Sequence, residues 1–256
     1  MSDDVASLKG FKKLGRVRVI LMATSHPGNV GSAARAMKTM GLDDLVLVAP
    51  KLAAPHQDPQ AIALAAGAGD VLAGAKIVAT LDEALHDVTF AIGLTARRRD
   101  LSHRHVALRE AAAIAFTELS AQPSAKVALV FGNEAMCLSN EDVDRCQLLA
   151  SVPANPQYSS LNLAQTVQVA AYEMMMAASA FTVLPDEVRP AATAGEVEAL
   201  MLHLEALATD SGYLDPDAPK RFMTRIRRLL TRSRLEPEEV AILRGLLASI
   251  QKNARK

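Results

Sequence analysis

The chain has 256 residues, half of them hydrophobic, and its 28 Lys and Arg are balanced by 28 Asp and Glu. That length allows one large domain, or one medium domain with an extension, around a core of Ala, Val, Leu, Ile and Met, since Trp is absent. Zero net charge argues mildly against a nucleic-acid binder, and two cysteines, Cys137 and Cys146, are too few for a disulfide framework. No CxxC spacing suggests a metal, no leader-like apolar run follows the N-terminal charges, and no uninterrupted apolar stretch of about 18 residues suggests a membrane span, so the chain reads as cytosolic.

In chain order, Val17 to Met22 is a short, β-branched apolar run. Leu45 to Val48, Ile77 to Ala79, Thr89 to Ile92, Val127 to Phe131 and Leu148 to Val152 are similar. Helical patterns alternate with them at Val30 to Met40, Asp58 to Ala66, Leu81 to Leu85, Ala107 to Leu119 and Asn140 to Arg145, and a longer apolar one follows from Ala164 to Phe181. Short apolar strands alternating with helices predict an α/β domain whose parallel sheet is covered on both faces, over residues 1–182. Residues 183–195, with two prolines and few apolar anchors, suit a linker. From 196 to 256 the periodicity is helical only, which predicts a small all-helical extension of three helices broken at Asp215-Pro216 and Glu236-Pro237.

Charge is segregated in this extension. Residues 184–219 hold eight acids against Arg189, whereas 220–256 hold eleven Lys or Arg against three Glu. Arg221, Arg225, Arg228 and Arg232 are spaced to share one helix face. An ordinary solvated face has the same look, but four arginines without an interleaved acid suit an anionic polymer, because the guanidinium fork matches phosphate.

Three loops after strands carry the candidate chemistry. The first, from Thr24 to Arg35, opens a helix but lacks both G-x-G-x-x-G and G-K-[ST], and reads Asn29, Gly31 and Arg35 instead. The second runs from Phe131 to Glu141. There Gly132 permits close approach of a ligand, and Ser139 with Asp142 makes an acidic capping box. The third, Pro153 to Leu163, places Ser159, Ser160 and Asn162 before the long helix, where either serine suits a simple cap. No metal cluster, G-x-S-x-G or carboxylate pair accompanies these loops, so the site looks built to hold a cofactor by backbone and hydroxyl groups.

In this order and spacing, TSHPGNVGSAARAMKTMGL, ALVFGNEAMCLSNED and NPQYSSLNLAQTVQV resemble the three signature motifs of the SPOUT methyltransferase superfamily. They resemble most closely its TrmJ-type bacterial tRNA (cytidine/uridine-2′-O)-methyltransferases. AIALAAGAGDVL, LTARRRDL and the tail RIRRLLTRSRLEPEEVAILRGLLASI are also similar to that group, so the resemblance extends from about Arg16 to Gln251. It implies a deep trefoil knot in the C-terminal part of the α/β domain, a homodimer whose sites draw on both subunits, and S-adenosylmethionine as methyl donor. The implied reaction is methylation of a ribose 2′-hydroxyl at anticodon-loop nucleotide 32 of tRNA. The implied cofactor positions are Leu94, Thr95 and Ala96 after a strand ending at Gly93, then Gly132, Val152, Ser159, Ser160 and Leu161. The implied catalytic residues are Arg35, Ser160 and Asn162. RNA contacts fall on Asn29, Arg35, Arg221, Arg225, Arg228 and Arg232, while Asn29 and Glu134 shape the loops and the dimer contact. The second motif departs from the family pattern: Asn133 stands where Arg is common and Cys137 where Gly is common. Other readings left open are the same chemistry on a wobble nucleotide or ribosomal RNA, a dimeric RNA-binding protein with impaired catalysis, and, more distantly, an α/β oxidoreductase.

Overall fold

The computed structural model describes residues 10–96, 104–134, 137–180, 190–215 and 221–254. Its centre is a sheet of seven strands: β1 (Val17–Met22), β2 (Asp44–Val48), β3 (Lys76–Val78), β4 (Phe90–Leu94), β5 (His105–Ala107), β6 (Val127–Phe131) and β7 (Leu148–Ser151). They lie in the order β3-β2-β1-β6-β4-β7-β5, and every pairing is parallel. Central strands such as VALVF and FAIGL are buried at every position. This burial explains their unbroken apolar runs: helices cover both faces, so no residue alternates outward.

One face is covered by α1 (Pro27–Thr39), α2 (Pro59–Ala65), α3 (Gly69–Ala73), α5 (Leu108–Ala121) and α7 (Leu163–Ala180). Gly31 is what brings α1 and α2 together, since a Cβ there would stand 2.0 Å from the Ala61 carbonyl oxygen. The opposite face is covered by α4 (Leu81–Leu85) and α6 (Asn140–Asp144), which pack over Ile20, Val46, Ala91 and Val130. Cys146 lies in that layer, where burial, with a further contribution from Asp142, pushes its thiol up to about 12.

Three differences from the sequence reading have local causes. The first helix begins at Pro27 instead of Val30, because proline is tolerated in a first turn whose N–H groups lack helical partners. The three-residue edge strand β5 lies in the polar stretch Arg104 to Ala107 and was not anticipated. Neither was α3, five residues long and too short to show a helical period.

An ion-pair group holds the amino end of the sheet. Arg18, 6% exposed, pairs with Asp44 at 2.8 Å and Asp87 at 2.6 Å, and Lys126 also reaches Asp87. Burial opposes ionisation of Asp87, but bonds from Arg18 and Lys126 prevail and hold its carboxyl far below the usual range.

The extension contains α8 (Ala194–Asp210), α9 (Phe222–Ser233) and α10 (Pro237–Ala254). Its own core is small, with Ala192, Leu200 and Val240 buried. It is stitched to the sheet domain by backbone bonds from Ala194 N to Val88 O at 2.8 Å and from Gly195 N to His86 O at 3.0 Å. Ala191 and Ala192, near the end of the expected linker, are buried in this junction. The break at Glu236-Pro237 falls where α10 begins; Pro216 lies outside the described residues. No described helix is long and apolar enough to cross a membrane.

Candidate active site at the carboxyl ends of the strands

In a parallel sheet, ligands gather where strands end in loops, because the backbone groups there are not consumed by pairing. The ends of β4, β6 and β7 enclose a cavity of about 240 Å³. It is lined by all eight residues expected to hold the cofactor: Leu94, Thr95, Ala96, Gly132, Val152, Ser159, Ser160 and Leu161. β4 ends at Leu94, one residue later than expected, and Thr95 N then bonds Ala150 O at 2.9 Å, holding this loop against β7. Phe131, Asn133, Glu134, Cys137, Ala150, Ser151, Asn162, Leu163 and Thr166 complete the lining. Apolar groups from Leu94, Phe131, Val152 and Leu161 face hydroxyls from Thr95, Ser151, Ser159 and Thr166, a mixture that fits a ligand with a flat ring and polar ends.

Gly132 is required at its place. An added Cβ would meet Cys137 C at 2.1 Å and Leu138 N at 2.3 Å, because the second loop folds back on itself through an Asn133–Cys137 bridge. Cys137 itself has φ +59°, so the thiol stands where a glycine would be unstrained. The loop is anchored beyond this point by buried Leu138 and by the Ser139–Asp142 capping box, in which Ser139 Oγ accepts from Asp142 N at 3.1 Å.

One chain of hydrogen bonds joins all three loops. Asn162 Nδ2 donates to Asn29 Oδ1 at 3.0 Å, and Asn29 Nδ2 donates to Glu134 Oε1 at 3.0 Å. Glu134 Oε2 accepts from Ser25 Oγ at 3.0 Å and from Ser25 N at 3.3 Å. Burial disfavours the Glu134 carboxylate, but the bonds from Asn29, its own backbone and Ser25 outweigh burial and hold its carboxyl below the usual range. Asn162 also caps α7, with Oδ1 accepting from Ala164 N at 2.9 Å. The cap is therefore Asn162, not Ser159 or Ser160, and both serines are left to line the cavity. Glu134 was legible only as a member of its loop; nothing local announced its bonds to residues over a hundred positions away.

Arg35 does not line the cavity of its own chain. It is exposed on α1, about 9 Å along the helix from Asn29 at 1.5 Å per residue. Arg221, just before α9, and Arg225 and Arg232 on it are exposed, but Arg228 is not like them. Its Nε donates to Asp144 Oδ1 at 2.7 Å, so Arg228 docks the extension instead of facing solvent with its neighbours. The described residues contain no group of three or more His, Cys, Asp or Glu placed to hold a metal.

Comparison with known proteins accords with this geometry. Residues 16–172 match the model of the SpoU rRNA methylase family, and residues 195–256 match that of the C-terminal domain of the tRNA methyltransferase TrmJ. The chain is 44% identical over 244 residues to a tRNA (cytidine/uridine-2′-O-)-methyltransferase TrmJ of Yersinia enterocolitica, covering 93% of each chain. It is 44% identical over 252 residues to a tRNA (cytidine/uridine/adenosine-2′-O-)-methyltransferase TrmJ of Pseudomonas aeruginosa, covering 94% of this chain and 96% of that one. The crystal structure of TrmJ from Z. mobilis superposes with a TM-score of 0.79 at 33% identity, over 91% of this chain and 98% of the other. With both family models matched in order and relatives aligned over nearly the full length, this chain is a member of the SpoU methylase family, of the TrmJ type.

Proposed function

We propose that the protein is an S-adenosylmethionine-dependent tRNA methyltransferase acting on a ribose 2′-hydroxyl, at cytidine or uridine 32 of the anticodon loop. The observation that carries this reading is the cavity in which all eight expected cofactor residues meet. The residues present fit the donor. Gly132, Leu94, Val152 and Leu161 offer backbone donors and acceptors beside apolar walls, and Ser159 and Ser160 offer hydroxyls to the ribose and amino-acid ends. When bound, the donor supplies an electrophilic methyl on a sulfonium centre.

The chain's own residues supply position and charge. Asn162 is fixed twice, by capping α7 and by bonding Asn29, and so holds Ser160 and Leu161 at the cavity wall. The role of Arg35 is to orient a substrate phosphate and steady the developing alkoxide, while a phosphate or solvent takes the proton. Because Arg35 is outside the cavity of its own chain, the reading includes a homodimer that completes each site. The knot belongs to the same reading. β7 lies between β4 and β5, which follow one another in sequence. The exposed arginines of α9 take the tRNA backbone, and the protein works in the cytoplasm.

Calorimetric titration with S-adenosylmethionine tests the cofactor, and total digestion of tRNA after incubation with labelled donor places the methyl. A 2′-O-methylated pyrimidine at position 32 is expected. A label at the wobble nucleotide or in ribosomal RNA replaces the substrate but keeps the chemistry. Binding of RNA without donor affinity favours an RNA-binding protein disabled by Asn133 and Cys137. Full turnover in Arg35→Ala with the donor still bound removes the proposed role of Arg35.

A further inference from the structure

We propose that Asp144 is a positioning residue for the substrate. By gripping α9 through Arg228 and Thr231, it sets the exposed Arg221 and Arg225 at the cavity end of the molecule. This rests on the tRNA reading above.

The geometry follows from the direction of α9. Its carboxyl end is tied low on the sheet: Arg234 pairs with Glu118 and lies 5.0 Å from the ring centre of Phe90, the first residue of β4. Its amino end, with Arg221 and Arg225, shares an open groove with Asn140, the first residue of α6. Asn140 follows directly on the second cavity loop, whose Cys137 lines the cavity. Asp144 stands between these two ends. Its side chain is 7% exposed, it accepts from Arg228 Nε at 2.7 Å, and its backbone carbonyl accepts from buried Thr231 Oγ1 at 3.4 Å. The neighbouring cations are engaged elsewhere, Arg145 by Asp82 and Arg227 by Glu198.

Removing the Asp144 carboxylate leaves the extension attached at Ala194, Gly195, Arg234 and, through Thr231, the Asp144 backbone carbonyl, but releases Arg228 and with it the amino half of α9. The arginine helix then samples several settings, of which a fraction is competent, and apparent RNA affinity falls by that fraction. A stability residue alone would instead reduce donor binding and fold together.

The test compares wild type, Asp144→Ala, Asp144→Asn and the reversed pair Asp144→Arg with Arg228→Asp. In Asp144→Ala the expected KM for tRNA rises about fivefold while kcat changes less than about twofold, as expected for lost orientation away from the reacting atoms. S-adenosylmethionine affinity stays the same, and amide hydrogen exchange quickens across α9 but not across α1. Asp144→Asn falls between, and the reversed pair recovers most of the KM. Unchanged KM overturns the proposal, as does unchanged exchange in α9 or a joint loss of KM, donor affinity and thermal midpoint. If wild type methylates no tRNA, the functional reading fails by itself. Exchange across α9 in Asp144→Ala then still decides whether Asp144 sets that helix.

Discussion

The cavity loops and the helical extension are held by different forces. The loops leave buried strands and are joined by short polar side chains converging on one carboxylate, Glu134. The extension has a small core and is fastened by arginine–carboxylate pairs, Arg228 with Asp144 and Arg234 with Glu118, beside two backbone bonds. The Glu134 carboxylate is partly buried, whereas the two carboxylates that fasten the extension are nearly fully buried, with side chains 7% and 6% exposed, so salt screens those ion pairs only weakly. The site is thus tied by one network of short polar side chains, and the extension by two separate buried charge pairs.

The contrast is broken most directly at Glu134. Glu134→Ala leaves Ser25 N–H, Ser25 Oγ and Asn29 Nδ2 without their acceptor, and the expected loss is about 3 kcal/mol by denaturant unfolding, with donor binding weakened. A loss below about 0.5 kcal/mol would mean that the loops are held by the strands alone. Next in size is the arginine face. Replacing Arg221, Arg225 and Arg232 with Ala should weaken tRNA binding about tenfold at low salt and lower the slope of log affinity against log salt by about 2. An unchanged slope would move the RNA contact off α9.

Asp87 tests whether ion pairs also stabilise the sheet domain. Its folded pKa lies below the unfolded value of about 3.9, so its contribution is complete above about pH 4 and is lost as pH falls toward the depressed value. Asp87→Asn should cost about 1 kcal/mol near neutrality, allowing for screening at this half-exposed group, and should flatten the acid limb of the stability curve. A limb as steep as that of wild type would assign the acid sensitivity to other carboxyls. The smallest effect belongs to Cys137→Gly, expected to raise stability by up to about 1 kcal/mol by relieving a positive φ. Native thiol labelling checks the same place. Cys137, partly exposed in the cavity wall, should react and be shielded by bound donor, while buried Cys146 stays inert. Equal labelling of both would show the second loop opening with α6.

Six of the seven strands and the three helices of the extension were legible as apolar runs and helical periods, the inner strands because burial on both faces favours apolar residues at nearly every position. The edge strand β5 was not, since His105-Val106-Ala107 holds a single β-branched residue and shows no apolar run. Cys137 was legible only as a departure from the family's glycine, and the structure supplied its positive φ. The partners of Glu134 and Arg228 were not. Arg228 has the spacing of a solvated face, and only the placement of Asp144, 84 positions away, turns it inward.

By itself, then, the amino-acid sequence determined what depends on neighbours along the chain: most strands and helices, the Ser139–Asp142 capping box, and the three loops with their serines and asparagines. Tertiary structure alone decided which loops meet, that Asn162 and not a serine caps α7, that Arg35 stands off its own cavity, and that one arginine of four docks while three face outward. These depend on groups brought together by the sheet order, in which β7 comes between β4 and β5, and no local pattern encodes that order.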